Sequence, residues 1–172
     1  PDSKKYKNIV ETWERGNPIA DGSPQCLYLQ RRLRQEFRWE FDALRSSALP
    51  YWDYSGDGVV CSGVFPVILA KVTDAQDNLI NVHRIYLTTD GDKASVSSPK
   101  KMMPSYLAGN TLGCTVKLSS EAKGEKLYCC EGVETGIAIF NGLAKKSEVW
   151  CALTAGSLKR LTIPDWVNEL MI

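Results

Sequence analysis

Residues 126–140, KLYCCEGVETGIAIF, join two hydrophobic patterns, and the rest of the chain is interpreted around them. Residues 127–130 form a short apolar run rich in strand-forming side chains. From Val133 onward the apolar residues recur at helical spacing, with Thr135 placed to cap the helix and Gly142 placed to help end it. The stretch therefore predicts a buried strand, a tight turn and a helix.

Glu131 stands at the predicted carboxyl end of that strand. Ligands bind at this edge of open α/β sheets because helix N-termini and loops converge there. A half-buried carboxylate needs a cation, hydrogen bonds or a metal ion. Two interpretations remain open for Glu131, a structural carboxylate at the helix start or a metal-binding or catalytic group. Glu134, in the first helical turn, is explained more simply as a charge that suits the helix dipole.

The composition is that of an ordinary globular protein, with 44% hydrophobic and 24% charged residues among 172. A formal net charge of +1 gives no overall electrostatic signal for nucleic acid, so such binding would depend on local patches. The sequence lacks an apolar run long enough to span a membrane, and its charged start does not resemble a secretory signal, which predicts a cytoplasmic protein without a membrane partner. The six cysteines are interpreted as reduced, mostly buried side chains.

Upstream of the central stretch we predict two helices within residues 4–34 and a β-hairpin over residues 64–88, closed by a turn at 74–78. Residues 37–54 are dense in aromatic side chains, which fit either a core or lid or, less simply, a base-stacking surface. Residues 89–103 are predicted to form a basic loop. The hairpin and this loop carry His83 and four nearby cations, Arg84, Lys93, Lys100 and Lys101. Two interpretations of these cations remain open, solvated surface charges or a local cationic site.

Downstream, a short strand is predicted at residues 114–118 and a boundary between two lobes near residue 123. Another buried strand is predicted at residues 149–153, followed by a small-residue loop at residues 154–157. From residue 127 onward the pattern is β-α-β, a short helix and a further strand, which predicts a parallel sheet.

Several motifs carry a resemblance to a known family. YCCEGVETGIAI (128–139) resembles the first motif of Toprim domains, and VWCALTAGSL (149–158) resembles their second strand and its loop. The upstream region resembles the companion region of phage, plasmid and mobile-element primases. The segments that carry this second likeness are FPVI (65–68), VHRIYL (82–87), DGDK (90–93) and PKKMM (99–103), together with the N-terminal helices.

The resemblance implies an α+β primase-like lobe, residues 1–123, followed by the first part of an α/β Toprim domain with a parallel sheet, residues 124–172. The implied activity is template-directed synthesis of RNA primers on single-stranded DNA by Mg²⁺- or Mn²⁺-dependent nucleotidyl transfer. The implied partners are single-stranded template, nucleoside triphosphates and, as a further candidate, a replicative helicase.

The resemblance also implies roles for individual residues. Glu131 matches the acidic residue of the first Toprim motif, a general acid/base or metal ligand. The four cations named above, Arg84, Lys93, Lys100 and Lys101, match a basic segment that faces template or incoming nucleotide. His83 has no counterpart there, so packing or a hairpin hydrogen bond is expected for it.

The sequence also departs from the family pattern. The second acidic motif, Asp-x-Asp, would follow the third strand, which is still running at Ile172. We therefore expect a fragment of a longer protein, catalytically incomplete and with only weak metal binding at Glu131. Two alternatives stay open, a Toprim nuclease or topoisomerase-like enzyme and a non-catalytic module that binds nucleic acid or protein.

Overall fold

The computed structural model describes residues 1–33, 41–54, 58–118, 125–143 and 147–172. Some sequence-based predictions fall outside these ranges. They are the last residue of the predicted helical segment, Arg34, the aromatic residues Phe37 and Trp39, and the lobe boundary near residue 123.

Two helices open the chain, α1 (Ser3–Glu14) and α2 (Pro24–Leu33). The Asp2 side chain caps α1 by accepting a hydrogen bond from the Lys5 backbone amide at 3.1 Å. Ile9 and Trp13, one helical turn apart, are the buried residues of α1. The two helices predicted within residues 4–34 are thus confirmed.

The first sheet has four strands in the order β1-β2-β3-β4, and all neighbours are antiparallel. Its strands are β1 (Leu44–Asp53), β2 (Val60–Thr73), β3 (Leu79–Tyr86) and β4 (Lys100–Met102). The hairpin β2-β3 is confirmed, and the Asp74 carboxylate stabilises its turn by accepting from the backbone amides of Gln76 and Asn78, each at 2.9 Å.

One strand of this sheet was not predicted, and one expectation for the region is wrong. The aromatic-rich segment contains β1, a ten-residue strand that its mixed aromatic and polar pattern did not predict. The predicted basic loop at 89–103 contains strand β4 near its end. Residues 100–102 pair with β3, whose edge would otherwise have unpaired backbone groups.

The second sheet is mixed, with the order β5-β7-β6-β8. It comprises β5 (Val116–Lys117), β6 (Lys126–Cys130), β7 (Glu148–Cys151) and β8 (Glu169–Met171), with helices α3 (Val133–Gly142) and α4 (Ala155–Leu158) between its last three strands. β6 is parallel to both β7 and β8, which confirms the predicted β-α-β pattern. β5 is antiparallel to β7, so it joins this sheet although it precedes the predicted lobe boundary.

Helix α3 starts one turn earlier than a Thr135 cap would require. Gly132 occupies the N-cap position and offers no side-chain hydrogen bond, so the prediction for Thr135 is wrong. Gly142 is the last residue of α3, as predicted.

One hydrophobic core connects the two sheets. It combines residues of β2 such as Ile68 with Tyr28 of α2, Phe140 of α3 and Val149 of β7. A second cluster lies on the opposite face of the first sheet, where α1 packs, and includes Trp13. Five of the six cysteines are buried and all six are free, as expected, whereas Cys61 is exposed.

Gly136 permits the closest contact between α3 and the second sheet. A Cβ atom built at Gly136 would lie 2.3 Å from Sγ of Cys151 and 3.0 Å from Cδ1 of Leu118. Cys151 and Leu118 are both fully buried, so neither has room to move away. The helix can therefore approach the strands only with glycine here.

We expect Gly136→Ala to lower the free energy of unfolding by about 1–3 kcal/mol, because it overpacks this contact. Gly142→Ala in the same helix is the matched control, since a Cβ at Gly142 would meet no atom within 4 Å. Urea unfolding of the two variants measures the difference. Equal stabilities for the two would contradict the packing explanation.

Candidate functional site

A cleft of about 670 Å³ lies between the β3–β4 edge of the first sheet and the carboxyl ends of β6 and β7 in the second. The side chains with chemistry to offer along its walls are His83, Lys100, Glu131, Glu134, Thr154 and Ser157. Parallel strands bring the segments after Cys130 and Cys151 to the same edge, because these two residues are paired in the sheet.

Glu131 is exposed at the mouth of this cleft. Its backbone carbonyl accepts a hydrogen bond from the Leu153 amide at 2.8 Å, which anchors the residue between the two parallel strands. Its carboxylate has no hydrogen bond or ion pair to any residue that the structure describes. Gly132 then begins α3 without a side-chain cap, leaving the first helical amides without intrahelical partners.

Glu134 is buried, with 7% of its surface exposed. Its Oε1 accepts a hydrogen bond from the Tyr28 hydroxyl at 2.5 Å and forms an ion pair with Nζ of Lys100, also at 2.5 Å. Burial alone would raise the pKa of the Glu134 carboxyl, but the bonds from Lys100 and Tyr28 outweigh burial and hold this pKa below its ordinary value of 4.5. Glu134 therefore ties α3 to both α2 and β4 as an ionised group.

Sequence reasoning placed Glu134 correctly in the first turn of the helix but missed this network. Tyr28 lies 106 residues away in the chain, and no local pattern links the two positions. Burial of the Tyr28 hydroxyl, and then its hydrogen bond to the Glu134 carboxylate, raise the pKa of Tyr28, which stays protonated as the donor.

His83 lies on β3 at the wall of the cleft. Its Nδ1 atom is buried and has no hydrogen-bond partner among the described residues. Burial, and then the nearby Lys100 cation, lowers the pKa of His83 to about 4, although Glu134 acts in the opposite direction. At neutral pH the cleft therefore contains an uncharged imidazole beside the Lys100–Glu134 pair.

The depressed pKa of His83 predicts a pH dependence of stability. An unfolded chain with an ordinary histidine pKa of 6.5 binds more protons than the folded protein between pH 6.5 and about 4. Stability should therefore fall as the pH decreases through this interval. We expect His83→Leu to reduce the loss of unfolding free energy between pH 7 and pH 5 by about 1–2 kcal/mol. Urea unfolding at both pH values measures this, and His83 is the chain's one histidine. An unchanged pH dependence in His83→Leu would contradict the assignment.

The opposite wall of the cleft is the loop after β7. Leu153 adopts a positive φ of 66°, a conformation that costs free energy for a residue with a branched side chain. Thr154 caps the short helix α4 by accepting from the Ser157 amide at 3.0 Å, and the Ser157 hydroxyl donates to the Thr111 carbonyl at 3.3 Å. The small-residue loop predicted at residues 154–157 thus forms part of the same cleft as Glu131.

The four cations implied by the resemblance do not converge on one cavity. Lys100 and Lys101 are consecutive in β4, so their side chains point to opposite faces of the sheet. Lys100 reaches Glu134 in the cleft, whereas the Lys101 ammonium lies 2.8 Å from the Trp52 carbonyl and 3.6 Å from the centre of the Tyr51 ring.

Arg84 and Lys93 lie away from the cleft. Arg84 is the cross-strand partner of Lys101 and therefore shares its face, where Arg84 donates to the Tyr86 hydroxyl and to the Met102 carbonyl. Lys93 is exposed and lines neither the cleft nor the cavity beside Lys101. Of the four, Lys100 is the cation whose charged group is held in the cleft, by its ion pair with Glu134.

No group of three or more His, Cys, Asp and Glu side chains is arranged to hold a metal ion among the described residues. In the cleft, the Glu131 carboxylate has no partner among the described residues, and Glu134 already uses one oxygen for Tyr28 and Lys100. These side chains do not form a resident metal site by themselves. None of the helices in the described ranges is both long and apolar enough to cross a membrane.

Comparison with known proteins places the chain in a family. Residues 3–113 match the model of a family described as "Domain of unknown function (DUF7146)". No curated protein and no solved structure matches the chain. The matched region contains one wall of the cleft, with His83 and Lys100, whereas Glu131 and the loop after β7 lie downstream of it. Because the match covers well over half of the 172 residues, the chain belongs to this DUF7146 family.

Proposed function

We propose that this chain is part of the catalytic core of a mobile-element DNA primase, in which the cleft receives a nucleoside triphosphate for template-directed primer synthesis. The observation that carries the proposal is the placement of Glu131. It is an exposed carboxylate without a described partner, at the carboxyl end of a parallel strand, on a cleft of about 670 Å³. A cavity of this size suits a nucleotide-sized ligand.

The fold supports the same proposal at a coarser level. The mixed α+β architecture, with a parallel β6-α3-β7 unit after an antiparallel sheet, is compatible with a primase-like lobe followed by the beginning of a Toprim domain. In this proposal the 3′-hydroxyl of one nucleotide attacks the α-phosphate of the next, and pyrophosphate leaves. Such a reaction asks the protein mainly to position the reactants and to stabilise negative charge.

Two residues have specific roles in the proposal. Glu131 accepts or donates a proton at the reacting hydroxyl, because it is the cleft carboxylate free of described partners. Lys100 keeps β4 against the start of α3 through its ion pair with Glu134, and the remaining N–H groups of its partly exposed ammonium donate to a phosphate oxygen. Glu134 is a positioning residue, since its acceptor oxygen is occupied.

Mg²⁺ or Mn²⁺ would offset the charge of the phosphates in this chemistry. Because the described side chains do not form a metal site on their own, the ion belongs in this proposal to the nucleotide and to the complete protein. The roles given to Glu131 and Lys100 are those of the side chains themselves.

The test is primer synthesis on single-stranded DNA by the complete gene product that contains this chain, with Mg²⁺ and with Mn²⁺. Template-dependent dinucleotide formation supports the proposal. Cleavage of the template in place of synthesis would favour a Toprim nuclease, and binding without either reaction would favour a non-catalytic module. Both of the latter results would refute the primase proposal.

A further inference from the structure

We infer that a second surface, on the face of the first sheet opposite the Lys100 side chain, binds single-stranded nucleic acid by stacking bases on Trp52 and Tyr54 beside the Lys101 cation. We call this surface the aromatic groove. It is a cavity of about 510 Å³ between α1 and strands β1, β3 and β4 of the first sheet. Its walls include Trp52, Tyr54, Arg84 and Lys101, with Asn8 and Thr12 from α1. The inference deepens the proposed function by providing a surface for the template strand.

The aromatic side chains of the groove are exposed, although a neighbouring aromatic side chain on the same strand is buried in the core. Trp52 is 43% exposed and Tyr54 is 67% exposed, whereas Tyr51, the neighbour of Trp52, is 1% exposed. A β-bulge between Tyr51 and Trp52 shifts the register against β2, and bulges of this kind redirect side chains. Large exposed aromatic residues next to each other are a common mark of a binding surface.

The charges of the groove select its occupant. The Lys101 ammonium lies 3.6 Å from the centre of the Tyr51 ring and 6.0 Å from that of Tyr54. Arg84 lines the same cavity, and its Nε atom is buried without a hydrogen-bond partner among the described residues. Neither Asp nor Glu is among the described residues that line the groove. The groove therefore combines cations with aromatic faces.

This combination fits a single strand better than a duplex. Bases of a single strand are free to stack on aromatic side chains, while its phosphates are attracted to lysine and arginine. In a duplex the bases are already stacked on one another, so no base face is free to stack on Trp52 or Tyr54. An acidic peptide would satisfy the cations but would leave Trp52 and Tyr54 without stacking partners.

The experiment measures binding of fluorescein-labelled oligo(dT), about 16 nucleotides long, by fluorescence anisotropy. EDTA is present and nucleotides are omitted, so the result does not depend on the chemistry proposed for the cleft. We expect binding to the wild-type chain, and we expect Trp52→Thr and Tyr54→Ser each to weaken it about 5- to 100-fold. Tyr54→Ser keeps the test decisive if Trp52→Thr disturbs β1, because Tyr54 lies outside the strand.

The matched aromatic control is Tyr6→Ser, since Tyr6 is 40% exposed on α1 but does not line the groove. The charge test is Lys101→Gln, which should make the dependence of log K on log salt less steep by about 0.7. Lys126→Gln, on the second sheet, is its control and should keep the wild-type slope.

The outcomes separate stacking from plain charge attraction. The inference is overturned if the wild-type chain does not bind oligo(dT), or if both aromatic variants bind within twofold of wild type. It is also overturned if duplex DNA or polyglutamate competes as well as unlabelled oligo(dT). If the complete gene product lacks primer synthesis while these aromatic variants still lose binding, the cleft proposal fails and the groove stands.

Discussion

Glu131→Gln should reduce template-dependent primer synthesis by the complete gene product by at least about 100-fold, the usual contribution of a group that transfers a proton in the reaction. The substitution keeps the size of the side chain and removes its ability to accept a proton. Because Glu131 is exposed and has no described ion pair, the folded state should lose little with it. The measurement is the rate of dinucleotide formation on single-stranded DNA, with urea unfolding in parallel.

Glu14→Gln provides the control for this substitution. Glu14 is an exposed carboxylate at the end of α1, outside the cleft. Its variant should retain both wild-type activity and stability. If Glu131→Gln is as active as Glu14→Gln, Glu131 is not a catalytic residue and the main support for the proposed function disappears.

The largest loss of stability is expected for Glu134→Ala, about 2–3 kcal/mol in the free energy of unfolding. The substitution leaves the Tyr28 hydroxyl and the Lys100 ammonium without their acceptor in a buried position. Breaking a fully buried ion pair costs more, but the Lys100 side chain is 33% exposed and regains part of its hydration. Urea unfolding at pH 7 measures the loss.

Two comparisons test the origin of this effect. Glu11→Ala removes a partly exposed carboxylate that pairs with Lys7 and Arg15 on the surface of α1, and it should cost less than about 1 kcal/mol. In the second comparison, Lys100→Met combined with Glu134→Ala should cost less than the sum of the two single changes, because the charges are coupled. Additive losses would show that Glu134 contributes through packing rather than through its ion pair.

The same network has a defined pH window. The pKa of Glu134 is lowered from 4.5 in the folded protein, so its contribution is present above pH 4.5 and is lost as the pH falls through the lower folded value. The loss attributed to His83 comes earlier, between pH 6.5 and about 4. The two groups can therefore be distinguished by the pH at which stability declines.

The elements of the fold were largely predictable where one local pattern dominates. The apolar run before Glu131 and the helical spacing after it predicted β6 and α3, and alternating apolar residues with a turn predicted the β2-β3 hairpin. β1 was missed because its sequence mixes polar, aromatic and proline residues, and it is stabilised by pairing with β2 rather than by its own pattern.

The candidate site likewise has one part that the sequence predicts and one part that depends on the tertiary structure. The sequence by itself determined that Glu131 follows a buried strand and precedes a helix, since that position follows from the order of residues 126–140. The β-α-β pattern from residue 127 onward predicted that this strand is parallel to its neighbours. Only the tertiary structure decided that Glu134 pairs with Tyr28 and Lys100, because those partners are distant in the chain and meet through packing of the two sheets. The tertiary structure likewise decided that Lys100 and Lys101 lie in different surroundings. The pleat directs neighbouring side chains to opposite faces of a strand, but the surroundings of each face depend on the elements packed against it.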